Sequence, residues 1–187
     1  MNKSVGDMYE WVDFTWNPLH GACSHLCPYC FVKSTPAYRR GYYSGPLRLS
    51  ANAMCTRLGK GKKIFVCSSN DICADVVPES MIDDILERVI EFPDNQYVFQ
   101  SKNPKRLMSW PENQNWMRGT TIETDFEYQP CVAGFAPAVP ERFVNHLDFI
   151  TVEPILAFTP DFAARLIDAR PRQINIGADS KGHGLPE

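Results

Sequence analysis

The sequence contains 187 residues, of which 44% are hydrophobic and 22% charged, and its formal net charge is −3. These values are ordinary for a globular protein, and the length suits one domain, predicted over residues 1–187. No apolar run could span a bilayer and no secretory signal begins the chain, which argues against a membrane protein and predicts a cytoplasmic one. The odd number of cysteines, seven, argues against a set of disulfides.

Six segments have the short apolar or alternating patterns that are typical of β-strands. They comprise residues 11–16, 63–67, 96–100, 116–122, 147–152 and 173–177. Asn17 and Pro18 end the first of them, and a loop that contains cysteines follows directly. Residues 31–50 are rich in Gly, Tyr, Arg and Pro, which predicts mostly irregular structure.

Helices are predicted between these strands. They span residues 50–58, 78–90, 140–145 and 159–170, with a further helix that begins at Pro104. Ser50 and Asn103 are suitable N-caps for two of them. The pattern at 78–90 is the clearest, because its apolar side chains recur at intervals of three and four residues and form one stripe. That stripe consists of Met81, Ile82, Ile85, Leu86, Val89 and Ile90.

Strands that alternate with helices predict parallel β-α-β units and therefore an α/β fold. A closed barrel of eight such units typically needs about 250 residues, so this chain is too short for one. We therefore expect a partial (β/α)6 TIM-like barrel with parallel strands. The sequence stops at residues 182–187, where a last helix would begin, so we expect either truncation after strand six or a very small version of the fold.

The most specific motif is a run of three cysteines, Cys23, Cys27 and Cys30, at the spacing C-x3-C-x2-C. Thiolates are the usual ligands of iron–sulfur clusters, and three of them on a four-iron cluster leave one iron open to a further ligand. Zinc is the competing interpretation, because His20 or His25 would complete a tetrahedral set of ligands. We expect His25 to be exposed rather than to be a ligand. Structural zinc motifs usually pair two ligand couples across a spacer, however, and no second C-x2-C follows.

Polar and charged residues follow the last five predicted strands. They lie at 68–71, 101–103, 123–125, 153 and 178–180, and include Ser69, Asp71, Lys102, Glu123, Glu153 and Asp179. Any one of them is accounted for as a helix cap or a solvated turn. In parallel barrels, however, functional groups gather at the carboxyl ends of the strands. We therefore expect these side chains to converge on the edge where the first strand delivers the three thiols.

With Tyr29 placed before the last cysteine, the motif reads C-x3-C-x-aromatic-C and resembles the signature of the radical S-adenosylmethionine (SAM) enzymes. Six further segments resemble successive motifs of a small, phage-associated radical SAM family of unassigned function, which is distantly similar to the spore photoproduct lyases. They are residues 16–21, 69–71, 101–104, 121–124, 152–155 and 176–180. The resemblance covers most of the chain. It implies a [4Fe–4S] cluster that cleaves SAM to methionine and a 5′-deoxyadenosyl radical.

The resemblance also implies roles for the residues of the cysteine motif. The cluster ligands would be Cys23, Cys27 and Cys30, and the amino and carboxylate groups of SAM would bind the remaining iron. Tyr29 would lie near the adenine of SAM. Gly177 would lie there too, because a residue without a side chain allows close backbone approach.

Charged residues at the strand ends would hold the rest of SAM. Lys102 suits its carboxylate and Glu123 its ribose hydroxyls, whereas Glu153 would contact the ribose, bind substrate or serve only a structural role. The usual Gly-Gly-Glu stretch that holds the SAM amino group is absent, and residues 68–71 occupy its place. Ser69 and Asp71 are the substitutes that we expect there.

Further cysteines lie outside the motif. Cys55 and Cys67 are expected to be small buried hydrophobic residues. Cys73 lies just past the second strand, on the side where the chemistry is expected, and its hypothetical role is to donate a hydrogen atom to a substrate radical.

A basic segment lies between Asp13 and Asp71, where no acidic residue occurs. It contains Lys33, Arg39, Arg40, Arg48, Arg57, Lys60, Lys62 and Lys63, together with Tyr38, Tyr42 and Tyr43. Cations interleaved with aromatic rings bind phosphates and stack bases, which favours a nucleotide or nucleic-acid substrate. A solvated surface that is balanced by acidic helices elsewhere accounts for the segment equally well.

The sequence thus predicts a radical SAM enzyme with a [4Fe–4S] cluster and SAM as cofactors. It would need an electron donor such as flavodoxin or ferredoxin, and its substrate is not identified. Two alternatives stay open. One is a zinc-binding module that holds nucleic acid without catalysis, and the other is a barrel enzyme that uses Glu123 and Glu153 as an acid–base pair.

Overall fold

The computed structural model describes residues 1–4, 9–27, 29–126 and 139–177. Its main feature is a seven-stranded, mostly parallel sheet, accompanied by a separate two-stranded hairpin of β3 and β4. The strands in chain order are β1 (Asn2–Lys3), β2 (Phe14–Trp16), β3 (Leu19–His20), β4 (Arg48–Leu49), β5 (Lys63–Val66), β6 (Gln96–Gln100), β7 (Trp116–Thr121), β8 (Phe149–Val152) and β9 (Gln173–Ile176). The protein therefore has a mixed α/β fold.

The strands of the large sheet lie in the order β1-β2-β5-β6-β7-β8-β9. From β2 onward every neighbouring pair is parallel, as connections through helices require. β1 is antiparallel to β2 at one edge, and two residues are too few to show a pattern in the sequence. Among the described residues the two outer strands do not pair with each other, so this part of the chain forms no closed barrel.

The six predicted parallel strands are present. β6 has the predicted limits at both ends, and the other strands are shorter than predicted. The largest difference lies in the first of them, which begins at Phe14 instead of Trp11. The ring of Trp11 instead stacks on that of Tyr9, with their centroids 4.9 Å apart, so this segment covers a face of the sheet rather than extending it.

In the described part of the chain, helices connect the strands. They are α1 (Pro36–Arg39), α2 (Ala51–Met54), α3 (Glu79–Ile90), α4 (Pro104–Met108) and α5 (Phe162–Asp168), with short 3-10 helices at Phe31–Ser34 and Val139–Arg142. Both predicted N-caps are confirmed, because the side chains of Ser50 and Asn103 accept hydrogen bonds from the amides of Ala53 and Arg106. None of the described helices is long and apolar enough to cross a membrane.

Several helices are shorter than predicted. α2 ends at Met54, because the chain then turns inward and buries Leu58 completely in the core. The helix predicted at 140–145 is only the 3-10 turn Val139–Arg142, and the last helix covers Phe162–Asp168 instead of 159–170. The apolar stripe of α3 is confirmed except at Ile90, which is 57% exposed while Phe92 packs against the core in its place.

The strands place alternate side chains on the two faces of the sheet. On one face Ile64, Val66, Tyr97 and Phe99 belong to the main core with the buried side chains of α3 and α4. The other face has no helix among the described residues and carries a smaller apolar cluster. That cluster contains Val12, Phe65, Val98 and Phe149, and is covered by Tyr9, Trp11 and Met117.

The helix-free face becomes polar towards the carboxyl ends of the strands. The hydroxyl of Tyr9 donates to Oε1 of Gln100 at 2.9 Å and lies 2.5 Å from Oγ1 of Thr151. The amide of Gln100 in turn donates to Oγ1 of Thr121 at 2.6 Å. Burial raises the pKa of Tyr9 to about 12, and the nearby charge of Glu153 adds to the rise. Tyr9 is therefore a neutral phenol that joins β6 to β8, and Gln100 extends the network to β7.

Replacing Gly119 with alanine is expected to destabilise the fold. A Cβ at this position would overlap the ring of Phe149, which is fully buried and packs edge-on against Tyr9 and Trp11. Overpacking of this kind typically costs about 1–3 kcal/mol, measurable as a lower free energy of unfolding in urea. In a double-mutant cycle Phe149→Leu should relieve part of the cost, and strictly additive effects would contradict the proposed overlap.

Candidate functional site

The carboxyl ends of the parallel strands lie at one edge of the sheet, here called the carboxyl edge. Residues 21–30, here called the cysteine loop, reach this edge after β2 and β3. Contacts of Tyr29 with Glu123 and of His25 with Asp71 show that the loop lies against the segments that follow β5 and β7. The parallel register thus brings together residues that are far apart in the sequence.

The cysteine loop is held by contacts on both sides of its thiols. Gly21 has a φ of +106°, and a Cβ there would lie 2.5 Å from the carbonyl oxygen of Pro46, so only glycine fits. The side-chain amide of Asn70 donates to the carbonyl of Gly21 at 3.1 Å. Further along, Nζ of Lys33 donates to the carbonyl of Cys27 at 3.0 Å.

Cys23, Cys27 and Cys30 all have free thiols, and Cys27 is buried. Burial raises the pKa of Cys23 to about 11, with a further increase from the charge of Asp71, while hydrogen bonds from two backbone amides oppose the rise. Among the described residues no three His, Cys, Asp or Glu side chains are gathered closely enough to hold a metal ion. The number and chemistry of the thiols fit an iron–sulfur cluster, but this chain does not hold them as a preformed metal site.

Asp71 is an extensively hydrogen-bonded acidic residue of the edge. Its Oδ2 lies 2.7 Å from Nε2 of His25 and accepts the amide of Lys102 at 2.8 Å. Its Oδ1 accepts the hydroxyl of Ser101 at 2.6 Å and the amide of Cys73 at 3.0 Å. Burial alone would raise the pKa of Asp71, but the bonds from His25, Ser101 and Lys102 outweigh it and lower that pKa. Asp71 therefore joins the cysteine loop to the ends of β5 and β6.

A second buried cluster surrounds Glu123, whose side chain is almost fully inaccessible. Its Oε1 accepts hydrogen bonds from the hydroxyl of Tyr29 and from Nζ of Lys102. Its Oε2 accepts from Nη1 of Arg142 at 2.7 Å. Lys102 also donates to the hydroxyl of Tyr29 at 3.1 Å. The structure thus brings Tyr29, Lys102 and Glu123 into direct contact.

Two cations face the single carboxylate of Glu123. Burial lowers the pKa of Lys102 to about 8; the charges of Cys27, Asp71 and Cys23 oppose this fall, and that of Arg142 adds to it. Arg142 is only 1% exposed, and its Nε has no hydrogen-bond partner among the described residues. The cluster therefore carries an excess positive charge close to the thiols, which suits an anionic group.

Glu153 and Gly177 lie next to each other at the ends of β8 and β9. A Cβ at Gly177 would come within 2.8 Å of Cδ of Glu153, so a larger residue at this position would displace the side chain of Glu153. Glu153 also lies near enough to Tyr9 to affect its pKa. Both residues are therefore on the helix-free side of the sheet. Residues 178–180, which were also predicted to contribute, lie outside the described residues.

Ser69 and Cys73 follow β5 at different depths. Ser69 lies close enough to Tyr43 to affect the pKa of that phenol, and the amide of Ser69 donates to Oδ1 of Asn17 at 3.1 Å. Cys73 is fully buried within the main core, and burial raises the pKa of its thiol well above the ordinary value. A hydrogen-atom donor has to reach its substrate, so the structure gives no support to that role for Cys73.

Asp125 has a structural role. Both oxygens of its carboxylate accept from Thr159, one from the amide at 2.8 Å and one from the hydroxyl, and Arg165 lies nearby. Burial alone would raise the pKa of Asp125, but these contacts outweigh it and lower that pKa. Asp125 thus joins the end of β7 to the segment before α5.

Two residues of this edge were missed or misjudged from the sequence. His25 was expected to be exposed, which is wrong, because it is 2% exposed and bonded to Asp71. Its position inside a cysteine motif indicates metal binding, and no local pattern indicates a partner as distant in sequence as Asp71. Arg142 was not identified as a site residue, because a single arginine in the run 140–145 is typical of a solvated helix position.

These features define a mixed α/β protein that gathers thiols and buried charges at the ends of parallel strands. The chain belongs to a family of proteins of unknown function, DUF5131, whose sequence model matches residues 7–169. No curated protein matches its sequence.

The fold is also similar to that of a solved protein. A mutant of spore photoproduct lyase superposes with a TM-score of 0.56 at 15% sequence identity, over 84% of this chain. The chain spans only 50% of that structure. At this identity the similarity shows a shared fold alone.

Asp71→Asn is expected to lower the free energy of unfolding by about 3 kcal/mol, because an amide nitrogen cannot accept the bonds that the lost oxygen received. Urea unfolding measures this loss, and Asp84→Asn serves as the matched control, since Asp84 is exposed on α3. Equal losses in the two variants would show that the Asp71 contacts do not stabilise the edge.

Asp125→Asn is expected to destabilise the protein by about 1–3 kcal/mol near neutral pH. Because the folded pKa of Asp125 is lowered, its stabilisation exists above the unfolded pKa of about 3.9 and disappears as the pH falls through the folded value. Urea unfolding from about pH 7 to about pH 2.5 should therefore show the two proteins converging at the acid end. A constant difference across that range would contradict this assignment, and exposed Asp94→Asn is the control.

Proposed function

We propose that this protein is a radical SAM enzyme built on a partial (β/α)6 TIM-like barrel. The observation that carries the proposal is the position of the cysteine loop directly against a buried, positively charged cluster at the carboxyl edge. When bound, a [4Fe–4S] cluster would supply the electron that cleaves SAM to methionine and a 5′-deoxyadenosyl radical, which abstracts hydrogen from the substrate.

The cysteine loop would provide the ligands Cys23, Cys27 and Cys30. Three free thiols on one loop match the donor set of a site-differentiated cluster, which keeps one iron open. The bond of Lys33 to the carbonyl of Cys27 and the pair of His25 with Asp71 hold the loop on either side of its buried cysteine. The loop is therefore already held at the carboxyl edge, and its three thiols would move together when the cluster binds.

Lys102 is the residue that we propose for the SAM carboxylate. Its ammonium group is buried within reach of the charges of Cys23 and Cys27, and it shares the carboxylate of Glu123 with Arg142. A carboxylate ligand would compensate the remaining positive charge through a charge-assisted hydrogen bond. Glu123 would accept the ribose hydroxyls, and Tyr29, which already donates to Glu123, would lie near the adenine.

The remaining site residues divide into binding and positioning roles. Ser69 and Asp71 would bind the SAM amino group. For this, an oxygen of Asp71 would release one of its present protein donors and accept the amino group instead. Gly177 would leave room near the adenine, and Glu153 beside it would contact the ribose or the substrate. The polar end of the helix-free face, with Tyr9 and Gln100, would form part of the barrel interior.

The physiological setting belongs to the same proposal. Reduction of a cluster in this chain would require a small electron-transfer protein such as flavodoxin or ferredoxin. Free thiols at Cys23, Cys27 and Cys30 fit a reducing compartment such as the cytoplasm. A nucleotide or nucleic acid is the substrate class that the basic segment favours.

The test is metal analysis of protein purified and reconstituted without oxygen. Wild-type protein should be brown, hold about four irons per chain and release 5′-deoxyadenosine when it is reduced with SAM. Cys27→Ala should lose the iron and the cleavage because only two thiolates remain. Cys55→Ala should change neither, because this thiol, which was expected to be buried, is exposed and lies outside the cysteine loop.

Two outcomes would contradict the proposal. Stoichiometric zinc in place of iron after reconstitution would favour the zinc-binding alternative. If iron stays bound after Cys27→Ala, the assigned ligands are wrong. If SAM is not cleaved although the reduced cluster is intact, the assigned reaction is wrong.

A further inference from the structure

The basic segment differs from the rest of the protein in how its charges are neutralised. Outside it, many cations pair with a carboxylate. These are Arg88, Lys102, Lys105, Arg106, Arg142, Arg165 and Arg172. Among the described residues, none of the eight Lys and Arg side chains between Asp13 and Asp71 forms an ion pair. The segment therefore keeps its positive charge, although the whole chain is acidic.

The structure divides the basic segment into two parts. Residues 31–48, here called the basic loop, adjoin the cysteine loop: the amides of Gly21 and Ala22 each donate at 2.9 Å to carbonyls of Tyr42 and Gly45. Residues 57–63 lead instead into the amino end of β5, at the opposite edge of the sheet. Only the basic loop can thus serve a ligand at the carboxyl edge.

Aromatic rings accompany the cations of the basic loop. Phe31, Tyr38 and Tyr42 are 41%, 38% and 42% exposed, whereas Tyr43 is buried. The ring of Tyr42 is supported from behind by His20, with stacked centroids 5.1 Å apart. Exposed rings fixed beside exposed arginines provide flat surfaces for stacking as well as charge.

We propose that the basic loop binds single-stranded nucleic acid and delivers it to the carboxyl edge. Arg39 and Arg40 are exposed and would contact phosphates, while the rings of Tyr38 and Tyr42 would stack on unpaired bases. Arg48 has another role, since its guanidinium donates to the carbonyls of Gly41, Ser44 and Pro46 and holds the loop in shape.

The inference rests on the proposed function in one respect, because it names the substrate class of that site. Lys33 links the basic loop to the cysteine loop, because it belongs to the basic loop and its Nζ donates to the carbonyl of Cys27. A merely solvated surface would explain the cations but not the exposed rings that lie among them. Binding of a single strand uses both, the cations for its phosphates and the rings for its bases.

The experiment is fluorescence anisotropy with a labelled single-stranded oligonucleotide of about 12 nucleotides, as DNA and as RNA, at about 50 and about 200 mM salt. The double variant Arg39→Ala/Arg40→Ala removes two exposed cations of the basic loop, and Tyr38→Ala removes one ring. Arg57→Ala/Lys60→Ala is the matched control, because it removes the same charge from exposed positions outside the basic loop.

Wild-type protein should bind the single strand in preference to a duplex of the same length. The Arg39/Arg40 variant should bind roughly tenfold more weakly and show a salt slope smaller by roughly 1.4, as two phosphate contacts predict. Tyr38→Ala should bind at least roughly fivefold more weakly with an unchanged slope, because stacking involves no charge. The control should bind like the wild type, and either DNA or RNA as the preferred strand supports the proposal.

The proposal would be overturned if the control variant lost as much affinity for the single strand as the Arg39/Arg40 variant, or if Tyr38→Ala had no effect. Either result would show that binding is general charge attraction. Absence of binding at low salt would also overturn the proposal. Strand binding is measured without SAM or reductant, and SAM cleavage is measured without oligonucleotide, so failure of this proposal and failure of the proposed function are distinguishable.

Discussion

The buried carboxylate of Asp71 is the constraint on which the carboxyl edge depends. A buried anion is costly unless each of its oxygens is hydrogen-bonded, and Asp71 satisfies this requirement with donors from two other segments of the chain. His25 belongs to the cysteine loop, whereas Ser101 and the amide of Lys102 follow β6. The loop is therefore held where Asp71 is satisfied, and the distance between its thiols and Lys102 follows from that position.

Glu123 shows the opposite balance, and the contrast is informative about function. Asp71 is compensated by His25, by a hydroxyl and by backbone amides, whereas two cations, Lys102 and Arg142, share the carboxylate of Glu123. A protein that only needed stability could replace such a cluster with apolar side chains at little cost. Excess buried charge next to three thiols is consistent with a site that becomes neutral when an anionic ligand binds.

The surroundings of the edge also differ from side to side. The helix-covered face behind it packs two buried apolar clusters against the sheet, and close packing of this kind fixes the positions of the strand ends. The helix-free face ends in polar groups that already hydrogen-bond to one another, such as Tyr9 and Gln100. On the outside, the basic loop is joined to the cysteine loop by backbone hydrogen bonds, so a ligand held by one would lie beside the other.

The sequence by itself determined the parallel α/β pattern, the caps at Ser50 and Asn103 and the three thiols, because these depend on local periodicity and spacing. It could not determine the partners of His25 and Arg142, since each bonds to a residue that is distant in sequence and no local pattern encodes such a pair. Where the first strand begins and α2 ends was also decided by tertiary packing, which turns Tyr9 and Leu58 onto the sheet. Local physics specified the elements, and the burial of charge and of apolar surface between them specified the site.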